Sequence, residues 1–404
     1  MRVLLVSANT LKEPYPVYPL GLDYVSGAIA AKHQVQIADM NCLGDRNSLA
    51  SIIEAFSPDV IGMSLRNIDN TDTTDPRGFI GQYRVIVDTI RNHTDVPLVL
   101  GGSGFTIFPD ETIKALDADY GIIGEGERLG LLLNAIQNRE DTGSIPGVIT
   151  RKRKKDLPAP WEGRIVRSPL PNPSNLKYYL QNGGMLNLQT KRGCHFKCVY
   201  CTYPHIDGRK LRLIDPEEIA AAACELQANG AKYFFITDSV FNGDCTHSLA
   251  VAAAFKKSGL SIPWGAFFAP LKQPEDYFQI MADAGLTHLE FGTDSLSNSV
   301  LASYRKPFRD QQVFRTHQAA IEAGLYVAHY FLLGGPGENP QTLKETLAGV
   351  GNLEKSALFF FCGMRIYPDT ELYDIAIKEG QIAEDRSLLE PVFYRSPFID
   401  SDEI

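Results

Sequence analysis

The chain has 404 residues, of which 44% are hydrophobic and 22% charged, enough apolar side chain for more than one core and too much for a mainly disordered protein. Its 39 Lys and Arg against 48 Asp and Glu leave a formal net charge of −9. That sign excludes a dedicated nucleic-acid binder, which neutralises phosphate with clustered cations.

The chain opens on Met1-Arg2-Val3-Leu4-Leu5-Val6-Ser7, an apolar run too short for a signal peptide and without a small-residue cleavage site. No later stretch approaches the ~18 apolar residues of a membrane span. These features predict a cytoplasmic protein that neither crosses a membrane nor takes a nucleic-acid partner. In a reducing compartment a close set of cysteines points to metal rather than to disulfides.

Over residues 1–144, strand-like runs at Val3 to Val6, Gln34 to Ala38, Val60 to Ser64, Pro97 to Gly101 and Tyr120 to Ile123 alternate with helical patterns. The helical patterns cover Leu20 to Ala31, Leu49 to Phe56, Gly78 to Arg91, Glu111 to Leu116 and Arg128 to Gln137. Strand and helix in alternation predict a parallel sheet with helices on both faces, a flavodoxin-like, Rossmann-type α/β domain whose ligand lies beyond the carboxyl ends of the strands. Residues 145–180 are rich in Pro and basic residues and predict a hairpin-bearing linker. Its run Arg151-Lys152-Arg153-Lys154-Lys155 is either a solvated turn or a contact for a polyanion.

From residue 181 to 370 the alternation resumes. Strands are predicted at Leu186 to Thr190, Tyr233 to Thr237, Trp264 to Phe268, His288 to Gly292, Tyr326 to Leu333 and Leu358 to Met364, with helices at Pro216 to Gln227, Glu275 to Ala284, Gln311 to Ala323 and Leu343 to Leu353. Six such units make a partial (β/α)6 barrel of TIM type, with its active site at the carboxyl strand ends. Residues 371–404 form an extension in which Tyr394 and Arg395 either close the site or belong to a packed tail.

After the first barrel strand comes Thr190-Lys191-Arg192-Gly193-Cys194-His195-Phe196-Lys197-Cys198-Val199-Tyr200-Cys201. Three thiolates at this spacing can hold three irons of a [4Fe–4S] cube and leave the fourth open for another ligand. Zinc with His195 or His205 as fourth ligand, or three unrelated buried cysteines, are the competing readings. Cys42, Cys224, Cys245 and Cys362 stand alone and are expected to be small buried hydrophobes.

Cys194, Cys198, Tyr200 and Cys201 resemble the signature of the radical S-adenosylmethionine (SAM) superfamily, in which the open iron chelates SAM and a reduced cluster cleaves it to a 5′-deoxyadenosyl radical. The resemblance implies further SAM contacts. Asp238, in Thr237-Asp238-Ser239, stands where the family meets the SAM amino group, although the usual form there is Gly-Gly-Glu. Asp294 and Ser295, in Phe291-Gly292-Thr293-Asp294-Ser295, stand at the ribose segment. Gly334 and Arg365 close the fifth and sixth strands. Read without the resemblance, an Asp at a strand end is a cap and a Gly pair a turn.

A flavodoxin-like domain ahead of such a barrel is similar to the cobalamin-binding branch of the superfamily. The residues carrying this are Tyr18-Pro19-Leu20-Gly21-Leu22, Gly101-Gly102-Ser103-Gly104 and Gly124-Glu125-Gly126-Glu127, because backbone without Cβ atoms lets a corrin and its tail approach. No His precedes His33, so the first loop has no Asp-x-His-x-x-Gly pattern and supplies no axial imidazole. Leu65, Arg66 and Asn67, after the third strand, are placed under the corrin instead, which implies a base-off cobalamin whose lower face is open, water-bound or blocked by Arg66; Arg66 as an ordinary exposed cation is the other reading.

What the resemblance implies is a cobalamin-dependent radical SAM C-methyltransferase. Its cofactors are a [4Fe–4S] cluster, SAM and cobalamin, and it methylates an unactivated carbon of a small molecule or of a peptide or protein residue through methylcobalamin. An electron donor such as ferredoxin or flavodoxin is its implied partner. Rearrangement or cyclisation without methyl transfer is the alternative chemistry, and a non-catalytic cobalamin carrier or sensor the alternative class. Methylthiotransferase activity is excluded, because it needs a second trio of cysteines in the N-terminal domain, where only Cys42 stands.

Overall fold

Val3, Leu4, Leu5 and Val6 form a continuous apolar run, the pattern of a parallel strand covered on both faces, and all four are buried. They lie in β1 (Arg2–Ser7), an interior strand of a six-stranded sheet. The computed structural model describes residues 1–152, 157–168, 173–183 and 185–399. Contacts divide the chain into one compact unit of Met1–Gly183 with His205–Gly208, and a second of Gly184–Pro204 with Arg209–Ile404.

In the first unit β1 is joined by β2 (Gln34–Asp39), β3 (Val60–Ser64), β4 (Leu98–Gly101), β5 (Tyr120–Ile122) and β6 (Val148–Ile149), in the order β2-β1-β3-β4-β5-β6. The first five are parallel, the flavodoxin-like arrangement expected, and β6 adds antiparallel to the edge. Alternate side chains of each strand point to opposite faces. Leu4, Val6, Ile61 and Met63 pack with Leu49 and Ile53 of helix Arg46–Phe56 and with Ile86 and Ile90 of helix Ile80–His93. Val3, Leu5, Val60 and Val99 pack on the other side with Leu22 and Ile29 of helix Leu20–Ile29 and with Leu132 and Leu133 of helix Leu129–Asn138.

The expectation of a separate linker over 145–180 is corrected. β6 extends the sheet, and a helix at Pro173–Asn182 belongs to the first unit, where its buried Tyr179 donates a hydrogen bond to Asp39 at 2.7 Å. Of the basic run, Arg151 pairs with Asp117; Arg153, Lys154 and Lys155 lie outside the described residues.

The second unit carries β7 (Met185–Leu188), β8 (Tyr233–Ile236), β9 (Trp264–Phe268), β10 (Leu286–Asp294), β11 (Tyr326–Leu333) and β12 (Ser356–Cys362). All pair in parallel in the order β12-β11-β10-β9-β8-β7, the open six-stranded partial barrel expected from the sequence. A helix at Cys245–Lys257, absent from the sequence reading, follows β8, capped by Asp244 accepting from the His247 amide. The last strand ends earlier than expected: Gly363 has φ +82° and turns the chain, so that Met364–Arg365 pairs instead with Phe393–Tyr394 of the C-terminal segment. Tyr394 is fully buried, its hydroxyl on Glu379 at 2.7 Å, so it is a packed tail residue rather than a closing one. Residues 400–404 lie outside the described residues.

Candidate active site

The cysteine loop follows β7 and is pinned at its root by a buried charge pair. Asp238, 1% exposed beyond the end of β8, accepts from the amides of Thr190 and Lys191, from the Thr190 hydroxyl and from Lys191 Nζ at 2.8 Å. Lys191 Nζ also donates to the Phe241 carbonyl at 2.9 Å and lies over the Phe241 ring. An unpaired charge in so dry a place would cost several kcal/mol, so the pair and its hydrogen bonds set the register of the loop. This corrects the expected role of Asp238 in touching SAM: its oxygens are consumed by the chain. Gly193 then turns with φ +92°, its carbonyl held by the Ser239 hydroxyl at 3.1 Å.

Cys194 is buried and Cys198 and Cys201 are half-buried. Burial pushes the Cys201 thiol up to about 12 and raises that of Cys198; the neighbouring thiols push the same way and the Lys306 ammonium pulls both back. The three sulfurs are thus within electrostatic reach of one another. Among the described residues no three His, Cys, Asp or Glu side chains converge as ligands of a single ion. A cube makes no such demand, since each thiolate holds a different iron, so the loop fits a [4Fe–4S] cluster with one iron left to another ligand.

Beside these thiols sits a group that sequence reasoning missed. Lys306 Nζ lies 2.9 Å from Asp294 Oδ2 and 3.3 Å from the Tyr200 hydroxyl, which itself donates to Asp294 Oδ2. The Lys306 and Asp294 side chains are 8% and 4% exposed. Burial works to lower the Lys306 ammonium, but Asp294 and the two thiols outweigh it and hold it above its usual value. Asp294 occupies a left-handed backbone conformation, φ +62°, at the end of β10. Within Tyr304-Arg305-Lys306-Pro307 nothing distinguishes Lys306 from a solvated cation; only the fold buries it.

Two other expected SAM contacts, Ser295 and Arg365, are spent within the protein, whereas Gly334 is not. Ser295 is fully buried, its hydroxyl bonded to Thr346 at 2.9 Å and to the Ser297 amide. Arg365 donates to the carbonyls of Ile366, Leu388 and Val392 and lies over the Tyr367 ring, so it anchors the C-terminal segment. Gly334 turns with φ +77°, its amide held by the fully buried Glu338.

In the first unit, the loops after β3 and β4 close on each other. The amide of Gly104 donates to the Leu65 carbonyl at 2.9 Å, and the Ser103 hydroxyl to the Arg66 carbonyl at 2.7 Å. A Cβ at Gly102 would meet the Leu65 oxygen at 2.6 Å and one at Gly104 the Asn67 carbon at 3.1 Å, so these two glycines are required by the protein itself. A Cβ at Gly101 would meet nothing nearer than the Ile122 carbonyl oxygen at 3.9 Å, and one at Gly124 nothing nearer than the Ile206 carbonyl oxygen at 3.7 Å, so neither position is crowded by the protein. Leu65 is buried in the core, and Asn67 accepts from the Tyr83 hydroxyl. Glu125 is buried and holds the Trp161 amide, and a Cβ at Gly126 would strike Val25 at 2.5 Å. Leu65, Glu125 and Gly126 are therefore packing residues, while Arg66 is exposed. Beyond β1, Asn9 is 6% exposed and its Nδ2 has no partner, an orphaned donor at the strand ends. An uncrowded Gly101 and an unspent buried amide on Asn9, both at the carboxyl edge of the sheet, fit the approach of a corrinoid and its polar tail.

The isolated cysteines differ from expectation. Cys362 is exposed at the sheet edge, and Cys42, Cys224 and Cys245 are half-buried, Cys42 lying 3.5 Å from Asp39.

The B12 binding domain family matches residues 6–131 and the Radical SAM superfamily residues 188–348. The chain is 23% identical over 439 residues to the tryptophan 2-C-methyltransferase of Streptomyces laurentii, covering 91% of this chain and 73% of that protein. It is 23% identical over 457 residues to the cytidylyl-2-hydroxyethylphosphonate methyltransferase of Streptomyces wedmorensis, covering 96% of this chain and 84% of that one. The fold is that of the radical SAM methyltransferase TsrM from Kitasatospora setae, solved with cobalamin and a [4Fe–4S] cluster: TM-score 0.86 at 23% identity, covering 100% of this chain and 86% of that one. Among the described residues no helix is long and apolar enough to cross a membrane. With both domains present in this order and the three cysteines inside the second, the chain belongs to the cobalamin-binding radical SAM enzymes.

Proposed function

We propose that this enzyme methylates an unactivated carbon of a small molecule or of a peptidyl residue. The observation that carries the reading is the loop of Cys194, Cys198 and Cys201 beside the buried Lys306–Asp294–Tyr200 group, in a chain that also contains a B12 binding domain. When bound, the cluster supplies the electron that splits SAM and cobalamin supplies the methyl group.

The chain's own residues hold and shape. The three thiols bind iron as thiolates, and Lys306 offsets part of the negative charge that this brings into a dry site. Asp294 holds Lys306 and Tyr200 through Oδ2, and its Oδ1 is assigned to a ribose hydroxyl of SAM. Gly334, its turn held by Glu338, would contact SAM when the cofactor is bound. Residues 1–144 are assigned to cobalamin, with 145–180 as their structural continuation, 181–370 to the radical step and 371–404 to an extension. Gly101, Gly124 and Arg66 would border the corrinoid when it is bound, and the Arg66 cation would disfavour coordination of cobalt there. A cytoplasmic location and a small acidic electron carrier such as flavodoxin or ferredoxin complete the proposal.

The test is anaerobic reconstitution with iron, sulfide and cobalamin, followed by incubation with methyl-labelled SAM and a reductant. A cubane absorption band, retained corrinoid, and formation of both 5′-deoxyadenosine and S-adenosylhomocysteine are expected. SAM cleaved only to 5′-deoxyadenosine and methionine, with the label never leaving the methionine, overturns methyl transfer.

A further inference from the structure

The strand that delivers Asp294 to the cysteines is irregular where it does so. Along β10, Gly292 pairs with Tyr330 of β11 and Asp294 pairs with the next residue, Phe331, so Thr293 is one residue too many. Such a bulge takes a side chain out of the strand's alternation, and it persists only where the surroundings hold it. Asp294 takes φ +62°, and the Ser295 amide donates back to the Thr293 carbonyl at 2.8 Å, closing the kink.

A row of buried hydrogen bonds reaches this kink. Thr293 Oγ1 lies 2.7 Å from His329 Nδ1, His329 Nε2 lies 3.0 Å from His317 Nδ1, and His317 Nε2 lies 3.1 Å from the Glu354 carbonyl oxygen. Thr293, His329 and His317 are all buried. The direction of every bond follows from the last one. A carbonyl only accepts, so His317 Nε2 carries a proton. Burial disfavours the charged form of both rings, so His317 Nδ1 carries none and accepts from His329 Nε2. His329 Nδ1 is then an acceptor as well, and the Thr293 hydroxyl donates to it. Phe291 stacks on the His329 ring at 5.2 Å and 27°, which holds the plane of that ring.

The two ends of the row sit behind the site. Thr293 immediately precedes Asp294, and His317 lies in helix Asp310–Glu322, which follows the segment carrying Lys306. Asp294 and Lys306 are the buried pair beside the thiols, 2.9 Å apart. The row thus ties together the two stretches of chain from which that pair is built.

We propose that Thr293, His329 and His317 are positioning residues: they fix the β10 bulge against the helix that follows Lys306, and so set where Asp294 and Lys306 stand beside the cysteines. They act through Asp294 rather than on SAM or the cluster. The assignment rests on the reading of the enzyme given above and extends it to a group that sequence spacing does not reveal.

The test has two arms. Nitrogen NMR of the full-length protein, isotope-labelled at histidine and assigned by single substitution, is expected to show His317 and His329 as neutral rings protonated on Nε2 at pH ~7. A proton on Nδ1 of either ring overturns the order of the row. In the reconstituted holoenzyme, Thr293→Val removes the hydroxyl and keeps the branched side chain. It is expected to weaken equilibrium binding of SAM by about tenfold. It is also expected to move the reduction midpoint of the cluster to more negative potential, because the Lys306 cation no longer stands fixed beside the thiolates. Thr293→Ser keeps the hydroxyl and is expected to stay within about threefold of the unmodified protein in SAM affinity. Trp264→Phe removes another buried hydrogen bond of the same unit, to the Ala284 carbonyl at 2.9 Å; it is expected to lower stability and leave SAM affinity and potential unchanged, which separates positioning from general loosening. Unchanged affinity and potential in Thr293→Val, or equal shifts in Trp264→Phe, overturn the proposal. Iron–sulfur absorption and SAM cleavage, followed in the same preparations, keep the two readings apart. If both are present in the unmodified protein and Thr293→Val changes nothing, the positioning role is wrong and the enzyme reading stands. If both are absent in the unmodified protein, the enzyme reading has failed and the positioning role falls with it, whatever tautomers the histidines show.

Discussion

The loops at the strand ends of the two sheets are held by opposite means. In the first unit they are shaped by missing atoms: Gly102 and Gly104 let the backbone of one loop lie against Leu65 and Asn67 of the other. In the second they are shaped by buried charge: Lys191 with Asp238, and Lys306 with Asp294. The first device lets two loops pack backbone against backbone and carries no charge. The second fixes the root of the cysteine loop and sets one cation, Lys306, beside its thiols, where a glycine loop could offset no charge.

The comparison breaks most visibly at the cysteines. Cys198→Ala leaves two thiolates where three are needed, and is expected to remove the iron–sulfur absorption and all reductive SAM cleavage while leaving corrinoid retention unchanged. Retained cubane absorption would show that the loop is not the ligand set.

Acid should act on the polar interior of the second unit. His329 is fully buried, with Nε2 3.0 Å from His317 Nδ1 and Nδ1 2.7 Å from the Thr293 hydroxyl. Burial, helped by His317, lowers it to about 3. Because the folded value lies below the unfolded one, near 6.5, the unfolded chain binds the extra proton in between. This stability is fully present above pH ~6.5 and falls as pH drops toward ~3, by up to ~5 kcal/mol. Denaturation free energies measured at stepped pH should decline less steeply over that window in His329→Asn; an unchanged slope removes His329 as the cause.

Third in size is Lys306→Met, which strands the Asp294 carboxylate among thiols and is expected to cost ~3–5 kcal/mol in urea denaturation. Adding Asp294→Asn should recover a large part of that loss, because no buried charge then remains unpaired. Failure of the second substitution to recover any stability would mean that the two groups do not act as a pair.

The smallest effect sharpens the contrast on the glycine side. Gly102→Ala, at φ +95° and 2.6 Å from a carbonyl oxygen, is expected to cost ~1–3 kcal/mol. Gly101→Ala, with nothing nearer than 3.9 Å, should change stability by less than ~0.5 kcal/mol and instead weaken corrinoid retention. Equal stability losses at the two positions would mean that Gly101 serves packing as well.

Much of this architecture was legible before any coordinates. β-branched runs such as Val60 to Ser64, alternating with amphipathic stretches, reveal parallel α/β units because the periods of strand and helix are local properties. The loop of Cys194, Cys198 and Cys201 was legible for the same reason, since its chemistry sits within eight consecutive residues. The helix at Cys245–Lys257 was not, because buried Ala and Val on several sides blur its period. The roles of Asp238, Arg365 and Glu125 were misread, because a charged residue near a strand end looks the same whether it faces a ligand or is spent on the protein.

Sequence alone thus determined the order of elements, the two-part organisation and the trio of thiols, each set by neighbours a few positions apart. Tertiary structure decided which polar and charged groups are buried together, as in Tyr200 with Asp294 across 94 positions and Lys191 with Asp238 across 47. It also decided which glycines make room for protein and which leave room for a ligand. Coulomb attraction and steric exclusion act through space, and the spacing of residues along a chain does not encode either.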